Sequence, residues 1–449
     1  MSSRARLALA PFLSALLGAS DCAQDINDQD VVIAVTSRLS VDASGTEANL
    51  GSEQPSVTPD GRYLAFVSSA TNLVPGVTPT APQIYVKDLL IGTVVIVSVN
   101  SSGVPANRNC AAPSISANGR RVAFHSEASN LAATDPNTAF DVFVRDLDSA
   151  QTFHISQAFG GGPSVDAMNS GNPSLSADGM FVAFESDGTD LVDPPTSGGS
   201  QIYRRQVDTN TTLLVSVNEL AEEANNNCFS PSISGNGSVI AFDSSADNLS
   251  SLDAPSTTDV YVRDISSGMT ELVSVEAPGN PDGIADGVQA NGQSTSPWLS
   301  ADGQVVAFES TAPDLIVGDV NGRVDVFLRR RGSGPTLLVS KHSSGAQGSR
   351  DSAFGVGSTD GRYVAFSSQA PNLVDKDTNL SEDYFWHDTV TGKTVRVSVA
   401  TGGGEALGAD ARPSMTADGR FVFFHSDSGL LVEADTNGAN DIFSYGPLY

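Results

Sequence analysis

The stretch PSLSADGMFVAFESD, from Pro173 to Asp187, decides the fold because the chain carries seven variants of it. The central glycines of the seven copies are Gly61, Gly119, Gly179, Gly237, Gly303, Gly361 and Gly419. Their spacing is nearly constant, with one clearly wider interval between Gly237 and Gly303. Self-similarity at a nearly fixed period indicates a repeat architecture in which each repeat is one small structural unit.

Each repeat carries the signals of four β-strands. A short strand such as PSIS ends at an Asp-Gly or Asn-Gly dipeptide, which is the strongest short-range signal for a hairpin turn. Segments such as YVAFSS and DVFVRD, rich in β-branched and aromatic residues, predict the second and third strands. A turn then leads to a fourth strand such as TVRVSV. Four antiparallel strands repeated radially predict the blades of a β-propeller.

The two ends of the chain predict how the ring closes. The seventh repeat ends at DIFSYGPLY, after its third strand, whereas TSRLSVDASG near the N-terminus matches the fourth-strand segment VVIVSVNSSG. The separation between Ser40 and Pro55 equals that between Ser98 and Pro113. We therefore expect an all-β, seven-bladed β-propeller over residues 31–449. Its N-terminal strand completes the last blade and removes the exposed edges of an open array.

The phrase P-S-x-S-x-D-G-R-x-V-A-F, followed by D-V-F-V-R-D and a turn with Gly, resembles the TolB-like or WD40-like propeller repeats of exported bacterial proteins. The resemblance covers residues 31–449. It implies that the first strand of each blade lines the central channel and that the fourth strand is outermost. It implies no particular activity, because propellers serve as binding modules, scaffolds and enzymes.

The N-terminal segment has the layout of a secretory signal peptide. Two arginines precede an apolar core from Leu7 to Leu17, and small residues follow it. We expect a signal peptide over residues 1–20, a linker over 21–30, and export to the periplasm or the extracellular space. Asp21 is a poor match to the small residue expected before a lipidated cysteine, so we expect no lipid anchor at Cys22. No apolar segment is long enough to span a membrane.

The net charge of the chain limits the kinds of partner that it is expected to bind. The chain has 52 acidic and 24 basic residues and a net charge of −28. Such a surface repels phosphate backbones, so we expect no nucleic-acid partner. It attracts divalent cations or basic partners, although the same composition also serves as a solubility adaptation to salty surroundings. We expect the protein to be a monomer.

One motif, Asp-x-Asn-x-x-x-Asp, recurs in the link between the second and third strands. Oxygen side chains at alternating loop positions suit Ca²⁺, with carbonyl groups and water completing about six to eight ligands. The alternative is that these side chains form turns with the backbone that lead into the third strand. The fourth repeat keeps only Asp253 and Asp259. The complete copies, which are the predicted calcium ligands, are Asp135, Asn137 and Asp141; Asp319, Asn321 and Asp325; Asp377, Asn379 and Asp383; and Asp435, Asn437 and Asp441.

Residues suited to catalysis are scarce, and we predict no catalytic residue. No serine-nucleophile motif, zinc spacing or phosphate-binding glycine loop is present in the sequence. Cys110 and Cys228 belong to repeats that are not neighbours, which favours separate half-buried thiols over a disulfide bridge. The residues at the end of the second strand in the seven repeats form either a ring of proton-transfer groups or, as we favour, a half-exposed position that tolerates different residue types. These residues are Val67, His125, Glu185, Asp243, Glu309, Ser367 and His425.

These observations favour an exported, non-catalytic binding or scaffold module. It would present an acidic, loop-rich face to a protein or a glycan, because the long connections of every repeat are expected on one face and functional residues concentrate in such loops. The alternative, from a different class, is an extracellular hydrolase or lyase that acts on a polymer at the channel mouth.

Overall fold

The computed structural model describes residues 34–133, 135, 138–161, 169–253, 257–279, 287–332, 334–408 and 411–448. In this part of the chain, 28 β-strands form seven four-stranded antiparallel sheets, so the predicted seven-bladed β-propeller is confirmed. The predicted signal peptide (residues 1–20), the linker (21–30), Cys22 and Asn137 lie outside the described residues. The described residues include no helix long and apolar enough to cross a membrane.

We number the blades by the repeat that supplies their first strand. Blade 1 contains β2 (Ser52–Val57), β3 (Tyr63–Ser68), β4 (Gln83–Asp88) and β5 (Val94–Ile96). Blade 2 contains β6 (Cys110–Ile115), β7 (Arg121–Ser126), β8 (Asp141–Asp146) and β9 (Gln151–His154). Blade 3 contains β10 (Ser170–Leu175), β11 (Phe181–Ser186), β12 (Gln201–Gln206) and β13 (Thr211–Leu214). Blade 4 contains β14 (Cys228–Ile233), β15 (Val239–Ser244), β16 (Asp259–Asp264) and β17 (Met269–Leu272).

The remaining blades follow the same order. Blade 5 contains β18 (Ser294–Leu299), β19 (Val305–Ser310), β20 (Asp325–Arg330) and β21 (Thr336–Leu338). Blade 6 contains β22 (Ser352–Gly357), β23 (Tyr363–Ser368), β24 (Asp383–Asp388) and β25 (Thr394–Arg396). Blade 7 contains β26 (Ser414–Met415), β27 (Val422–Ser426), β28 (Asp441–Gly446) and, from the other end of the chain, β1 (Val35–Arg38).

The N-terminal strand closes the ring as predicted. β1 pairs antiparallel with β28, with Val35 opposite Gly446 and Arg38 opposite Phe443. The pairing continues beyond the strand, since the backbone N–H of Leu39 donates to the carbonyl oxygen of Ile442 at 2.7 Å. The outer edge of β28 is therefore covered from within the chain, which protects it from pairing with other molecules.

The hairpin between the first and second strands explains the shared phrase of the repeats. In blade 3 the Ser176 hydroxyl donates to Asp178 Oδ1 at 2.6 Å and accepts the N–H of Phe181 at 3.0 Å. Gly179 then adopts a φ of 73°, a region that costs glycine nothing. In blade 2 the corresponding Gly119 also lies beneath a ring of blade 1, since an added Cβ would be 2.3 Å from Tyr63 Cδ2.

The first strands are longer than the sequence suggested. In blades 2 to 5 they begin three residues before the proline of the repeat, and a bulge interrupts the pairing just before that proline. Proline has no N–H with which to continue the ladder, so the strand bends there. The residue at the bulge has a positive φ in six blades: Gln54, Ala112, Asn172, Ser230, Ser296 and Phe354.

The core consists of apolar layers between neighbouring blades. Val122 and Phe124 of blade 2, for example, pack in one cluster with Ile84 and Val86 of blade 1. Hydrogen bonds also join the blades. The hydroxyl of Ser114 accepts the N–H of Leu175 at 2.9 Å, and equivalent bonds recur around the ring. The ring is thus continuous, and it leaves two different faces.

One face, the hairpin face, carries the short turns between strands one and two and between strands three and four. The other, the loop-rich face, carries the links between strands two and three and between successive blades. This arrangement confirms that the long connections share one face.

Candidate functional site on the loop-rich face

The excess of acidic residues lies on the loop-rich face. In its connections acidic side chains far outnumber the basic ones, whereas in the hairpin turns the two signs nearly balance. Arginine side chains on the hairpin face also cover aromatic rings, as Arg204 does 4.6 Å from the ring centre of Phe181. The basic residues of the loop-rich connections are Arg108, Arg323, Lys341, Arg350, Lys376 and Arg412.

In blades 5, 6 and 7 the Asp-x-Asn-x-x-x-Asp loops share one hydrogen-bond pattern, shown here by blade 5. The second aspartate, Asp325, opens the third strand and accepts the Ser340 hydroxyl at 2.5 Å. Asn321 donates its amide Nδ2 to Asp325 Oδ2 at 2.6 Å, while its Oδ1 accepts the N–H of Arg323 at 2.9 Å. The asparagine therefore builds the side-chain-to-backbone turn that the sequence offered as the alternative, and its oxygen faces the backbone.

Blades 1 and 3 support a structural role for the second aspartate. At the same position they carry Gln83 and Gln201, and each accepts a hydroxyl from the equivalent serine: Ser98 at 2.7 Å and Ser216 at 2.6 Å. A neutral amide can therefore replace the carboxylate. What distinguishes the blades with the full motif is the additional buried negative charge.

In blades 6 and 7 an arginine of the fourth strand occupies the centre of this charge. Arg396 Nη1 lies 3.5 Å from Asp377 Oδ1, 3.8 Å from Asp383 Oδ2 and 3.2 Å from Glu405 Oε1. The side chains of Asp377 and Asp383 are 3% and 0% exposed. A guanidinium group thus supplies in cis the positive charge that a bound cation would bring.

Blade 7 repeats the arrangement with an arginine from the other end of the chain. Arg38 Nη1 lies 2.6 Å from Glu47 Oε1 and 3.8 Å from both Asp435 Oδ1 and Asp441 Oδ2. Carboxylate oxygens of these three acids lie within 4.8 Å of one another, a spacing that suits a metal ion. Because Arg38 belongs to β1, its ion pairs also fasten the closing strand.

In blade 2 a histidine takes the place of the arginine. His154 Nε2 lies 3.1 Å from Asp141 Oδ1, and both side chains are buried. Asp141 Oδ1 also accepts the Ser156 hydroxyl at 2.5 Å. Asp135 is buried in the same loop.

Blade 5 differs from the others that carry the full motif, because the slot of Arg396 is occupied by Leu338. Leu338 is buried in an apolar cluster with Phe327. Asp319 Oδ1 is buried and has no hydrogen-bond partner among the described residues. This fourth-strand residue lies two positions before a serine that recurs in every blade. It is Arg in blades 6 and 7, His in blade 2, and Ile or Leu elsewhere. Sequence reasoning missed this signal.

Burial raises the pKa of the second aspartate in the pockets of blades 5, 6 and 7. The pKa of Asp325 and of Asp441 rises to about 6, and that of Asp383 to about 7. The cause is loss of hydration, which the serine and asparagine hydrogen bonds only partly offset. Burial also raises the pKa of the leading acids Asp319, Asp377 and Asp435. These pockets are therefore sites where a positive charge is favourable.

Four of the seven residues at the end of the second strand have a structural function. In blades 2 to 5 the polar side chain accepts the backbone N–H exposed by the bulge of the next blade. His125 Nδ1 accepts from Asn172 at 3.3 Å, Glu185 from Ser230 at 2.9 Å and Asp243 from Ser296 at 3.2 Å; Glu309 accepts from Phe354. Where Val67 breaks the series, Gln54 Oε1 accepts the N–H of Ala112 at 2.7 Å instead.

Cys110 and Cys228 are free thiols, as expected, but they are fully buried rather than half-buried. Each opens the first strand of its blade, and its Sγ lies near a serine hydroxyl of the second strand: Ser126 at 3.3 Å and Ser244 at 3.2 Å. Burial raises the pKa of both thiols to about 12, so they are poor nucleophiles.

The central channel contains a cavity of about 670 Å³. The first strands of the seven blades supply its lining, as the resemblance implied. Backbone hydrogen bonds join successive blades at the hairpin end, for example from Ala117 N–H to the carbonyl oxygen of Ala177 at 2.8 Å and from Gly235 N–H to that of Ala301 at 2.8 Å.

Comparison with known proteins identifies the fold. No protein-family model and no curated protein matches the chain. Among solved structures, an oligogalacturonate lyase in complex with manganese matches with a TM-score of 0.55 and 12% identity over 92% of this chain and 93% of that one. TolB from Acinetobacter baumannii matches with a TM-score of 0.41 and 14% identity over 90% and 81% of the two chains. A putative TolB from Agrobacterium tumefaciens matches with a TM-score of 0.42 and 16% identity over 79% and 95%.

The class of the protein is thus a seven-bladed β-propeller, the fold that its repeats predicted. At these identities the similarity extends to the fold alone.

Proposed function

We propose that the protein is an exported binding module that engages a protein partner with a basic surface through its loop-rich face. The observation that carries this proposal is the unequal distribution of charge between the two faces, with the acidic excess in the long connections. Solubility alone would require no such asymmetry, since charge spread over both faces serves it equally. A concentrated field of one sign steers a partner of opposite sign and orients it on contact.

A defined cationic probe tests the proposal. A fluorescent lysine-rich peptide is titrated with the chain and with the double variant Glu219→Lys/Asp375→Lys on the loop-rich face. Glu219 is exposed, and the side chain of Asp375 is 96% exposed. We expect this variant to bind at least about tenfold more weakly at low salt, because two reversals change four units of charge, each worth up to about 1 kcal/mol.

The matched control reverses two acids of the hairpin face, Asp148→Lys/Asp208→Lys, whose side chains are 69% and 45% exposed. The net charge changes equally, but we expect little loss of binding. Equal losses in the two variants would mean that only total charge matters, and the proposal would then be wrong. Binding of a neutral oligosaccharide in place of the peptide would favour the glycan partner instead.

The proposal also includes calcium binding, but only in the Asp-x-Asn-x-x-x-Asp loop of blade 5. There Asp319 and Asp325 lack the arginine that neutralises blades 6 and 7, so two carboxylates with raised pKa have no ion-pair partner among the described residues. In the other three loops a metal ion would have to displace Arg38, Arg396 or His154. We expect millimolar Ca²⁺ to raise the melting temperature, and Asp319→Asn to remove that rise while Asp377→Asn leaves it. A Ca²⁺ effect that sodium chloride reproduces at equal ionic strength would refute the site.

One observation favours the competing class of function, an enzyme that acts on an extracellular polymer. The oligogalacturonate lyase that shares this fold matches over nearly the whole of both chains and was solved with manganese. Turnover in a screen of polysaccharide lyase, glycosidase and peptidase substrates would establish this class. Loss of that turnover in His125→Ala or His425→Ala would place the chemistry at the end of the second strands.

A further inference from the structure

The central cavity carries a single charge of unexpected sign. Among the described residues that line it, Arg412 is the only charged one, although the chain as a whole has a net charge of −28. The other lining side chains are mostly prolines, small residues and neutral polar groups. A lone guanidinium in such a cavity is positioned to meet an anion.

Arg412 reaches across the channel. It occupies in blade 7 the bulge position that Gln54, Asn172 and their equivalents occupy in other blades, but its side chain extends to blade 5. Its Nη2 donates to the carbonyl oxygen of Ser296 at 2.9 Å and its Nη1 to that of Pro297 at 3.4 Å. A guanidinium group has five N–H donors in a fixed fork, so these two bonds orient it and leave donors for a ligand.

The repeat is modified where Arg412 reaches. Blade 5 carries Trp298 where blades 1 to 4 carry serine, and blade 6 replaces the Pro-Ser-x-Ser phrase by Gly-Val-Gly-Ser. Gly357 makes room for the indole, since a Cβ there would lie 2.6 Å from Trp298 Cζ3. Phe354 of blade 6 lines the same cavity. The channel thus has an apolar, aromatic wall beside Arg412.

The surroundings of Arg412 also limit the charge of its ligand. Asp243 and Glu309, at the ends of the second strands, lie close enough to interact electrostatically with the guanidinium. These acids neutralise part of its charge, and the whole molecule repels anions. A dianion such as a phosphate monoester meets more repulsion here than a carboxylate does.

We propose that the central cavity binds the carboxylate of a small ligand with an apolar body. Arg412 pairs with the carboxylate, and Trp298 and Phe354 contact the apolar body. This inference is independent of the proposed protein partner, since it involves neither Glu219 nor Asp375.

Phenylacetate and its neutral isostere phenylacetamide are the probes. Trp298 serves as the reporter, because the chain has two tryptophans and the other, Trp386, is 1% exposed. We expect phenylacetate to change the fluorescence saturably at millimolar concentration, with calorimetry giving the same affinity. Phenylacetamide should bind at least about tenfold more weakly, because it forfeits the charge-assisted bonds. Phenyl phosphate should bind no more tightly than phenylacetate.

Substitutions of Arg412 test whether this residue binds the carboxylate of phenylacetate. Arg412→Gln should reduce phenylacetate binding at least about tenfold, and Arg412→Lys, which keeps the charge but not the fork, should reduce it less. Arg420→Gln, in a hairpin turn, is the matched control and should leave binding unchanged. Equal affinity for acid and amide, unchanged binding in a folded Arg412→Gln protein, tighter binding of phenyl phosphate, or no saturable binding of phenylacetate would each overturn the proposal. The comparison of acid with amide on the unmodified chain decides the matter even if the variants do not fold.

Discussion

Replacing Arg396 by leucine gives blade 6 the residue that blade 5 carries at this position, and it probes the acidic pocket directly. The substitution removes the guanidinium that lies within 3.8 Å of Asp377, Asp383 and Glu405. Two of these carboxylates are almost fully buried, so the variant leaves negative charge without a partner. Breaking a buried ion pair by removing one member costs about 3–5 kcal/mol. That is a large part of the total stability of about 5–15 kcal/mol of a typical domain.

The assay is chemical unfolding at pH 8 and at pH 5, followed by circular dichroism. The penalty should be smaller at pH 5, because the pKa of Asp383 is already about 7 with Arg396 present. Below that pKa the carboxyl is neutral, so its loss of a partner costs less. Millimolar Ca²⁺ should recover part of the stability at pH 8, since the pocket then lacks the guanidinium, as the pocket of blade 5 does.

Arg120→Leu in blade 2 is the control. Arg120 Nη1 lies 3.6 Å from Asp148 Oδ1, and the two side chains are 47% and 69% exposed. Such surface pairs contribute less than about 1 kcal/mol. Equal destabilisation by the two substitutions, or a penalty for Arg396→Leu that does not depend on pH, would refute the assignment of a buried charge centre.

Three further predictions concern the fold and its pH dependence. Gly119→Ala should destabilise more than Gly103→Ala in urea unfolding, because both glycines have positive φ but only at Gly119 would the new Cβ meet the ring of Tyr63, at 2.3 Å; equal losses would contradict the contact. Deleting residues 34–41 should lower the melting temperature and cause aggregation measured by light scattering, because it exposes the edge of β28; a monomer with unchanged melting would disprove the closure. Asp383→Asn should raise stability relative to the natural chain more at pH 8 than at pH 5. The Asp383 carboxyl has a pKa of about 7 in the folded protein and about 3.9 in the unfolded chain, so its contribution to folding stability falls as pH rises between these values. A difference between variant and natural chain that is constant with pH would exclude this linkage.

The fold was predictable from the sequence because its signals are local and repeated. The Asp-Gly and Asn-Gly turns, the nearly constant period and the match near Ser40 together specify seven blades and the closing strand. The bulges in the first strands were not predicted. They depend on the N–H acceptors of a neighbouring blade, such as Glu185 for Ser230, which no single repeat reveals.

The candidate site was predictable only in part, for a related reason. The acidic loops are visible in the sequence, but their partners Arg38 and Arg396 lie on the fourth strand, and Arg38 is at the opposite end of the chain from Asp435. Likewise Arg412 resembles any other arginine of a blade link until the ring brings it against blade 5. Aligning the seven repeats position by position could have shown the Arg, His and Leu residues of the fourth-strand slot.

Hydrogen–deuterium exchange with and without a lysine-rich peptide tests whether the loop-rich face is the binding surface. We expect protection in the connections of that face, such as residues 215–227 and 369–382, and none in the hairpin turns at 176–180 and 358–362. Protection of the hairpin turns, or equal protection of both faces, would contradict this expectation.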